Sequence, residues 1–229
     1  MGDFFHLILT KPLLNVLIWF YNVIPWHDMG LAIVALTLLV RIMLVPSFQK
    51  SLRSQKELQQ LQPHLDEIRE KHKDNKEAQT KAIMEFYQQK KVNPFSSCLP
   101  LLVQLPILIA LYRVFLTGLN GDVAAELYPF VANPGAINTN FLGVLELSTP
   151  SYVLAILAGG FQFIQSKMMA PARPKTSDKT SAMMSAQMTY LMPIITVFIA
   201  WQLPAGLSLY WVVTTLFAIG QQYYIMKKT

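Results

Sequence analysis

The residue whose chemistry is hardest to explain away is Arg41. It sits in the run Leu36-Thr37-Leu38-Leu39-Val40-Arg41-Ile42-Met43-Leu44-Val45-Pro46, a permanent cation inside an apolar stretch. On insertion scales a charge near the centre of a spanning helix costs about 2.5–3.5 kcal/mol. Two readings stay open. The side chain can snorkel, because the near end of the stretch is about six residues away, roughly 9 Å along a helix. Otherwise it faces water inside the protein. No carboxylate in another apolar stretch is placed to pair with it.

Uncharged polar residues sit in the other apolar stretches and could line such a cavity with Thr37: Gln104, Gln162, Gln165, Tyr190, Thr196, Ser208, Tyr210, Thr214 and Gln221. Taken singly, each is explained by an interhelical hydrogen bond, worth about 0.6 kcal/mol on average. Spread over every stretch, beside an unpaired arginine, they point to a polar cavity.

Enzymatic signals are missing. There is no phosphate-binding glycine loop, no His-Glu-x-x-His and no Gly-x-Ser-x-Gly, since Tyr210 stands where the second glycine would follow Ser208. His6, His27, His64 and His72 fall outside the apolar stretches and form no cluster, so no metal or cofactor is expected. Cys98 is the single cysteine and forms no internal disulfide.

The elements that must position these residues are apolar helices. Across 229 residues, 53% are hydrophobic and only 14% charged, too little charge to cover a soluble surface. Stretches of spanning length, about 17–25 residues, lie at about 28–47, 95–116, 150–168, 187–203 and 206–226. The last two are separated by Leu203-Pro204-Ala205-Gly206, a turn signal. The predicted architecture is all-α and polytopic: residues 1–27 as an interfacial amphipathic helix, 28–47 as the first span, 48–92 as a helical hairpin, and 93–229 carrying the other four spans.

In the N-terminal segment, Lys11, Asn15 and Asn22 share a face, and Trp19, Tyr21 and Trp26 are interface-favouring types. In the hairpin, Leu58, Leu61, Leu65 and Ile68 repeat at 3-4-3 spacing, and Ala82, Ile83 and Phe86 supply a facing stripe. His72-Lys73-Asp74-Asn75 reads as the turn between helices at 50–71 and 76–91, and Pro63 is expected to bend the first. The stretch 170–186 reads as a loop.

Charge sets the orientation. The net charge of +6 is concentrated in 48–92 and 167–186, whereas 117–149 holds no Lys or Arg. The basic loops belong in the cytoplasm. That places the N-terminus outside and the C-terminus inside, as an odd number of spans requires.

Three runs then bring a family into view. Asn93-Pro94-Phe95-Ser96-Ser97-Cys98-Leu99-Pro100-Leu101-Leu102-Val103-Gln104-Leu105-Pro106-Ile107, Arg41 followed by Pro46, and Leu203-Pro204-Ala205-Gly206-Leu207-Ser208-Leu209-Tyr210-Trp211 resemble the YidC family of membrane protein insertases over essentially the whole chain. The resemblance implies a five-span core around a hydrophilic groove open to cytoplasm and lipid. Arg41 matches its groove arginine, and Thr37, Tyr210 and Trp211 match substrate-contact positions. It implies a bacterial plasma (inner) membrane location and nascent membrane proteins as partners, alongside the lipid bilayer. The Sec translocon, the signal recognition particle pathway and the ribosome are the further partners it suggests. Many bacterial relatives also carry a large outer domain and an extra N-terminal span, which this sequence does not show.

The expected function is therefore insertion and folding of membrane proteins by a chain that is not an enzyme. Two other classes fit the residues: a small anion transporter or channel using Arg41, and a structural subunit of a membrane complex. The absence of an evident internal repeat counts against the transporter.

Overall fold

The computed structural model describes residues 2–93, 99–119, 123–169 and 187–228. A short helix α1 (Gly2–Phe5) runs through a π-helical turn (His6–Thr10) into α2 (Lys11–Val23). Helix α3 (Met29–Lys71) and α4 (Lys76–Gln89) follow, then α5 (Leu99–Leu119). The segment after α5 carries one hairpin of strands β1 (Asn140–Phe141) and β2 (Leu145–Glu146). Helix α6 (Tyr152–Met169), a π-helical turn (Gln187–Leu191), α7 (Met192–Gln202) and α8 (Ala205–Lys228) complete the described chain. The expected loop at 170–186 and the Asn-Pro run through Cys98 lie outside the described residues.

The core forms where α2, α3, α5, α6 and α8 meet. Leu17 and Ile18 of α2, Ile33 and Leu36 of α3, Leu111 and Val114 of α5, and Leu207 of α8 are buried in it. Around it the outward surface is strongly apolar. Ile42 and Met43 on α3, Ile156 on α6, Ile194 and Phe198 on α7 and Leu216 on α8 are all exposed. Apolar surface on this scale needs a membrane or a partner to cover it. Among the described residues, α3 holds a stretch long and apolar enough to cross a membrane, and Leu102–Gly118 and Thr189–Gln202 are shorter apolar helical stretches.

Helix α3 departs from the expected break after residue 47. It runs unbroken for 43 residues through Pro46 and Pro63, about 65 Å at 1.5 Å per residue. Each proline removes one N–H from the ladder. Close to Pro46, the Gln221 side chain of α8 donates to the Val45 carbonyl at 3.3 Å, and α8 packs along α3, so tertiary contact supports the helix in the region of the proline. Pro12 and Pro193 instead each sit one residue past a π-helical turn, at a point where the backbone stays helical while the hydrogen-bond ladder shifts register.

The hairpin forms from the second half of α3 and α4. Its turn is closed by Asn75, whose side chain caps α4 by accepting from the Glu77 and Ala78 amides at 3.1 and 3.0 Å. His64 stacks on Phe86 with centroids 6.1 Å apart, and Leu65 is fully buried. The base of the hairpin lies close to the end of α6, where Gln59 donates to the Met169 carbonyl.

The polar face of α2 points inward, unlike that of a helix simply floating on a surface. Asn15 is buried, donates to the carbonyls of Lys11 (2.8 Å) and Glu126 (3.0 Å), and accepts from the Tyr128 amide at 2.6 Å. Asn22 donates to the Ala132 carbonyl at 2.8 Å. The Tyr21 hydroxyl accepts from the Asn138 amide at 2.8 Å. These side chains supply the hydrogen bonds that the irregular segment 123–149 cannot make internally. The exposed residues of the helix are Trp19 and Val23.

The same segment is tied to both sides of the bundle. Asp28 caps α3 by accepting from the Leu31 amide (3.0 Å) and holds the hairpin tip by accepting from Leu142 (2.6 Å). Across the bundle, Ala205 and Gly206 donate to the carbonyls of Thr149 and Leu147 at 2.9 and 3.1 Å. Gly30 leaves room for Phe141, since a Cβ there would sit 2.1 Å from that ring. Hydrogen bonds from the Ser148 and Thr139 side chains hold the Glu146 carboxyl below the usual range. One end of the bundle is thus closed by a cross-linked cap.

Asp28→Ala removes a helix cap and orphans the Leu142 amide together. We expect a loss of about 2–4 kcal/mol, read as a lower midpoint of thermal unfolding in detergent, with Asp28→Asn recovering part of it. An unchanged midpoint for the alanine variant would show that the cap is not held through this residue.

Candidate functional site

The cavity opens beyond the cap because α5 stands apart. It leans on α2 and the preceding π-turn and touches α3 and α8 only sparsely, whereas α6 packs closely on both α7 and α8. Gly159 permits the α6–α7 approach, since a Cβ there would lie 2.2 Å from Val197 and 2.9 Å from the Pro193 carbonyl. The gap between α5 and the α6–α7 pair, backed by α3 and α8, is a cavity of about 670 Å³.

Arg41 reaches this cavity from α3 and is only 7% exposed. Its Nη2 donates to Gln104 Oε1 at 3.1 Å, and its guanidinium lies 4.8 Å from the centre of the Phe48 ring. Gln104 in turn donates to the Tyr210 hydroxyl. The chain Arg41–Gln104–Tyr210 links α3, α5 and α8 across the cavity. Among the described residues no carboxylate forms an ion pair with Arg41. A neutral amide and an aromatic face hold the cation in place without cancelling its charge.

Of the twelve residues singled out from the sequence, eight line the cavity: Arg41, Gln104, Gln162, Gln165, Tyr210, Trp211, Thr214 and Gln221. Gln162 accepts from Thr196 at 2.8 Å, an α6–α7 bond that leaves its side chain on the wall. Thr196 is itself buried off the cavity wall, and three further residues stand elsewhere. The Thr37 hydroxyl donates to the Ile33 carbonyl one turn back at 2.6 Å and is buried. The Ser208 hydroxyl donates to the Ala200 carbonyl at 3.1 Å and braces the α7–α8 turn. Tyr190 is exposed, its ring 5.8 Å from that of Phe163. Short hydroxyl side chains on helices bond to their own or a neighbouring backbone, which explains the first two.

Phe48 and Gln55 also line the cavity. They follow Arg41 at seven-residue spacing, a stripe that exists only if the helix continues through Pro46. Arg113, a second cation within an expected span, lies away from the cavity, 5.7 Å from the Phe5 ring. Among the described residues no group of three His, Cys, Asp or Glu side chains could hold a metal ion.

Comparison with known proteins places this geometry. Residues 19–229 match the model of the family described as 60Kd inner membrane protein. A protein of Magnetococcus marinus named membrane protein insertase YidC is 37% identical over 98% of this chain, which spans 36% of that relative. A protein of the same name from Fusobacterium nucleatum is 38% identical, covering 88% of this chain and 87% of its own length. The crystal structure titled active YidC insertase with the first transmembrane domain resolved superposes with a TM-score of 0.63 at 26% identity, over 93% of this chain and 46% of that one. The chain thus spans about a third of the first relative's length and most of the second's. With the fold and the sequence in agreement over nearly its whole length, the chain belongs to the 60Kd inner membrane protein family, whose members include the YidC insertases.

Proposed function

We propose that this chain is a membrane protein insertase of the bacterial plasma membrane, which also helps its substrates fold. Five spans cross the bilayer: the first half of α3, α5, α6, α7 with its preceding turn, and α8. The N-terminus and the cross-linked cap face outward, and the hairpin and C-terminus face the cytoplasm. The observation that carries the reading is Arg41, buried yet unpaired with any carboxylate among the described residues, at the wall of a large cavity.

The proposed mechanism has two parts. The cavity would bring water and a few polar side chains part-way across the bilayer, so a polar tail of a nascent chain crosses a thinner apolar barrier. Arg41 then offers a transient partner to an acidic residue in that tail. At about 4 Å and an effective dielectric of about 20, such a pair is worth about 4 kcal/mol before desolvation, enough to capture a tail and weak enough to release it. Because Gln104 and the Phe48 ring hold the guanidinium in place, with Tyr210 holding Gln104, little ordering is needed at capture. The apolar helix that follows slides past α5 and α7 into lipid, and its partitioning drives the step. Tyr210, Trp211, Thr214, Gln162 and Gln165 form the walls the tail meets. Thr37, Ser208 and Tyr190 act from outside the cavity, Thr37 and Ser208 by shaping the helices behind it.

Two outcomes are expected. In liposomes containing only this protein, Arg41→Ala should slow insertion of a single-span substrate with an acidic tail by about tenfold, the equivalent of about 1.4 kcal/mol, while Arg41→Lys keeps most of the rate. Equal rates for Ala and wild type on that substrate would remove the electrostatic role. In a Cys98→Ser background, Gln165→Cys and Thr214→Cys should react with a water-soluble thiol reagent far faster than Thr37→Cys or Ser208→Cys. Uniform protection of all four would mean a dry, hydrogen-bonded bundle.

A further inference from the structure

A second recess lies outside the cavity, at the other side of α3. It measures about 590 Å³ and is bounded by Gln49, Arg53, Lys56 and Gln60 of α3, with Glu57, and by Tyr224 of α8. The α3 residues fall at 4-3-4 spacing and therefore share one stripe of the helix. The stripe begins just beyond the apolar run that ends near Phe48. Tyr223 and Tyr224 are exposed at the same end of α8, where aromatic residues favour the membrane–water boundary. Among the described residues neither Arg53 nor Lys56 is in an ion pair.

We propose that this recess holds a phospholipid headgroup, with its phosphodiester bound by Arg53 and Lys56. The charge arithmetic favours a diester. Two cations and the Glu57 carboxylate leave a formal charge of about one positive unit, matching a phosphodiester, which carries one negative charge. A free phosphate monoester carries close to two at neutral pH, and Glu57 would repel it. Glu57 is placed to accept from the hydroxyls or ammonium of the headgroup beyond the phosphate, and Gln49 and Gln60 add amide donors. The acyl chains would run along the exposed apolar face of α3 at Ile42 and Met43. This proposal rests on the membrane placement given above but not on insertion activity. A lipid bound here would brace the base of the hairpin against α8.

The test reads retained lipid directly. The full chain is placed in nanodiscs of mixed phosphatidylglycerol and phosphatidylcholine, and lipids that remain bound after transfer to the gas phase are counted by native mass spectrometry. Wild type should retain phosphatidylglycerol over phosphatidylcholine. The Arg53→Gln, Lys56→Gln double variant should retain about tenfold less. Lys76→Gln with Lys81→Gln, which removes the same charge from α4, should stay within about twofold of wild type. Equal losses in the two double variants would reduce the effect to general surface charge and overturn the site. Displacement of the lipid by millimolar glycerol 3-phosphate would show a soluble-anion site and overturn it also. Because insertion is not measured, a failed insertase reading and a failed lipid site give different results.

Discussion

Burying a guanidinium with no carboxylate among the described residues to pair with it is the constraint around which the rest of this molecule is arranged. An arginine stays charged under any accessible condition, so the fold must supply acceptors, polarisable surface or water at that point. Here it supplies the Gln104 carbonyl and the Phe48 ring, and Gln104 passes the connection to Tyr210. That relay also ties α5 to the bundle across the space that separates them. A full ion pair would anchor the helices more firmly but would cancel the charge. The neutral acceptors leave the site electropositive and the cavity open.

The cavity can stay open at one end because the other is over-determined. Residues 123–149 hold little regular structure, yet Asn15, Tyr21, Asn22 and Asp28 all bond to their backbone, and the start of α8 adds two amides. Secondary structure cannot satisfy this segment, so side chains from neighbouring helices do. The consequence is asymmetry: a rigid cap at one end and a loosely contacted α5 toward the other. Under the proposed function, such an arrangement suits a helix pair that parts to admit a segment and then releases it sideways.

How far the sequence disclosed this depends on the kind of signal. Apolar runs placed the helices well, and Leu203-Pro204-Ala205-Gly206 marked the α7–α8 turn. Arg41 and Gln104 were visible because a polar group in an apolar run is costly. The continuous α3 was not legible, because proline propensity argues for a stop at Pro46, and the packing of α8 along α3 that offsets it comes from a distant part of the chain. With that break assumed, the stripe Arg41–Phe48–Gln55 disappears. Asn15 and Asn22 are legible as sharing a face, but not as bonding inward, because their partners lie more than a hundred residues away. Thr37 and Ser208 carried the right polarity but turn to backbone carbonyls, a choice that composition cannot reveal.

The central claim is that the gap between α5 and the α6–α7 pair is the path a substrate takes. Site-specific photo-crosslinking to a ribosome-stalled single-span substrate tests it most directly. Crosslinkers would replace Leu108 on α5, Gln165 on α6 and Ala218 on α8, which face the gap, and Ile156, which faces outward. The account predicts that the three inner positions capture the same stretch of substrate while Ile156 does not. Capture at Ile156 with silence at the inner positions would contradict it.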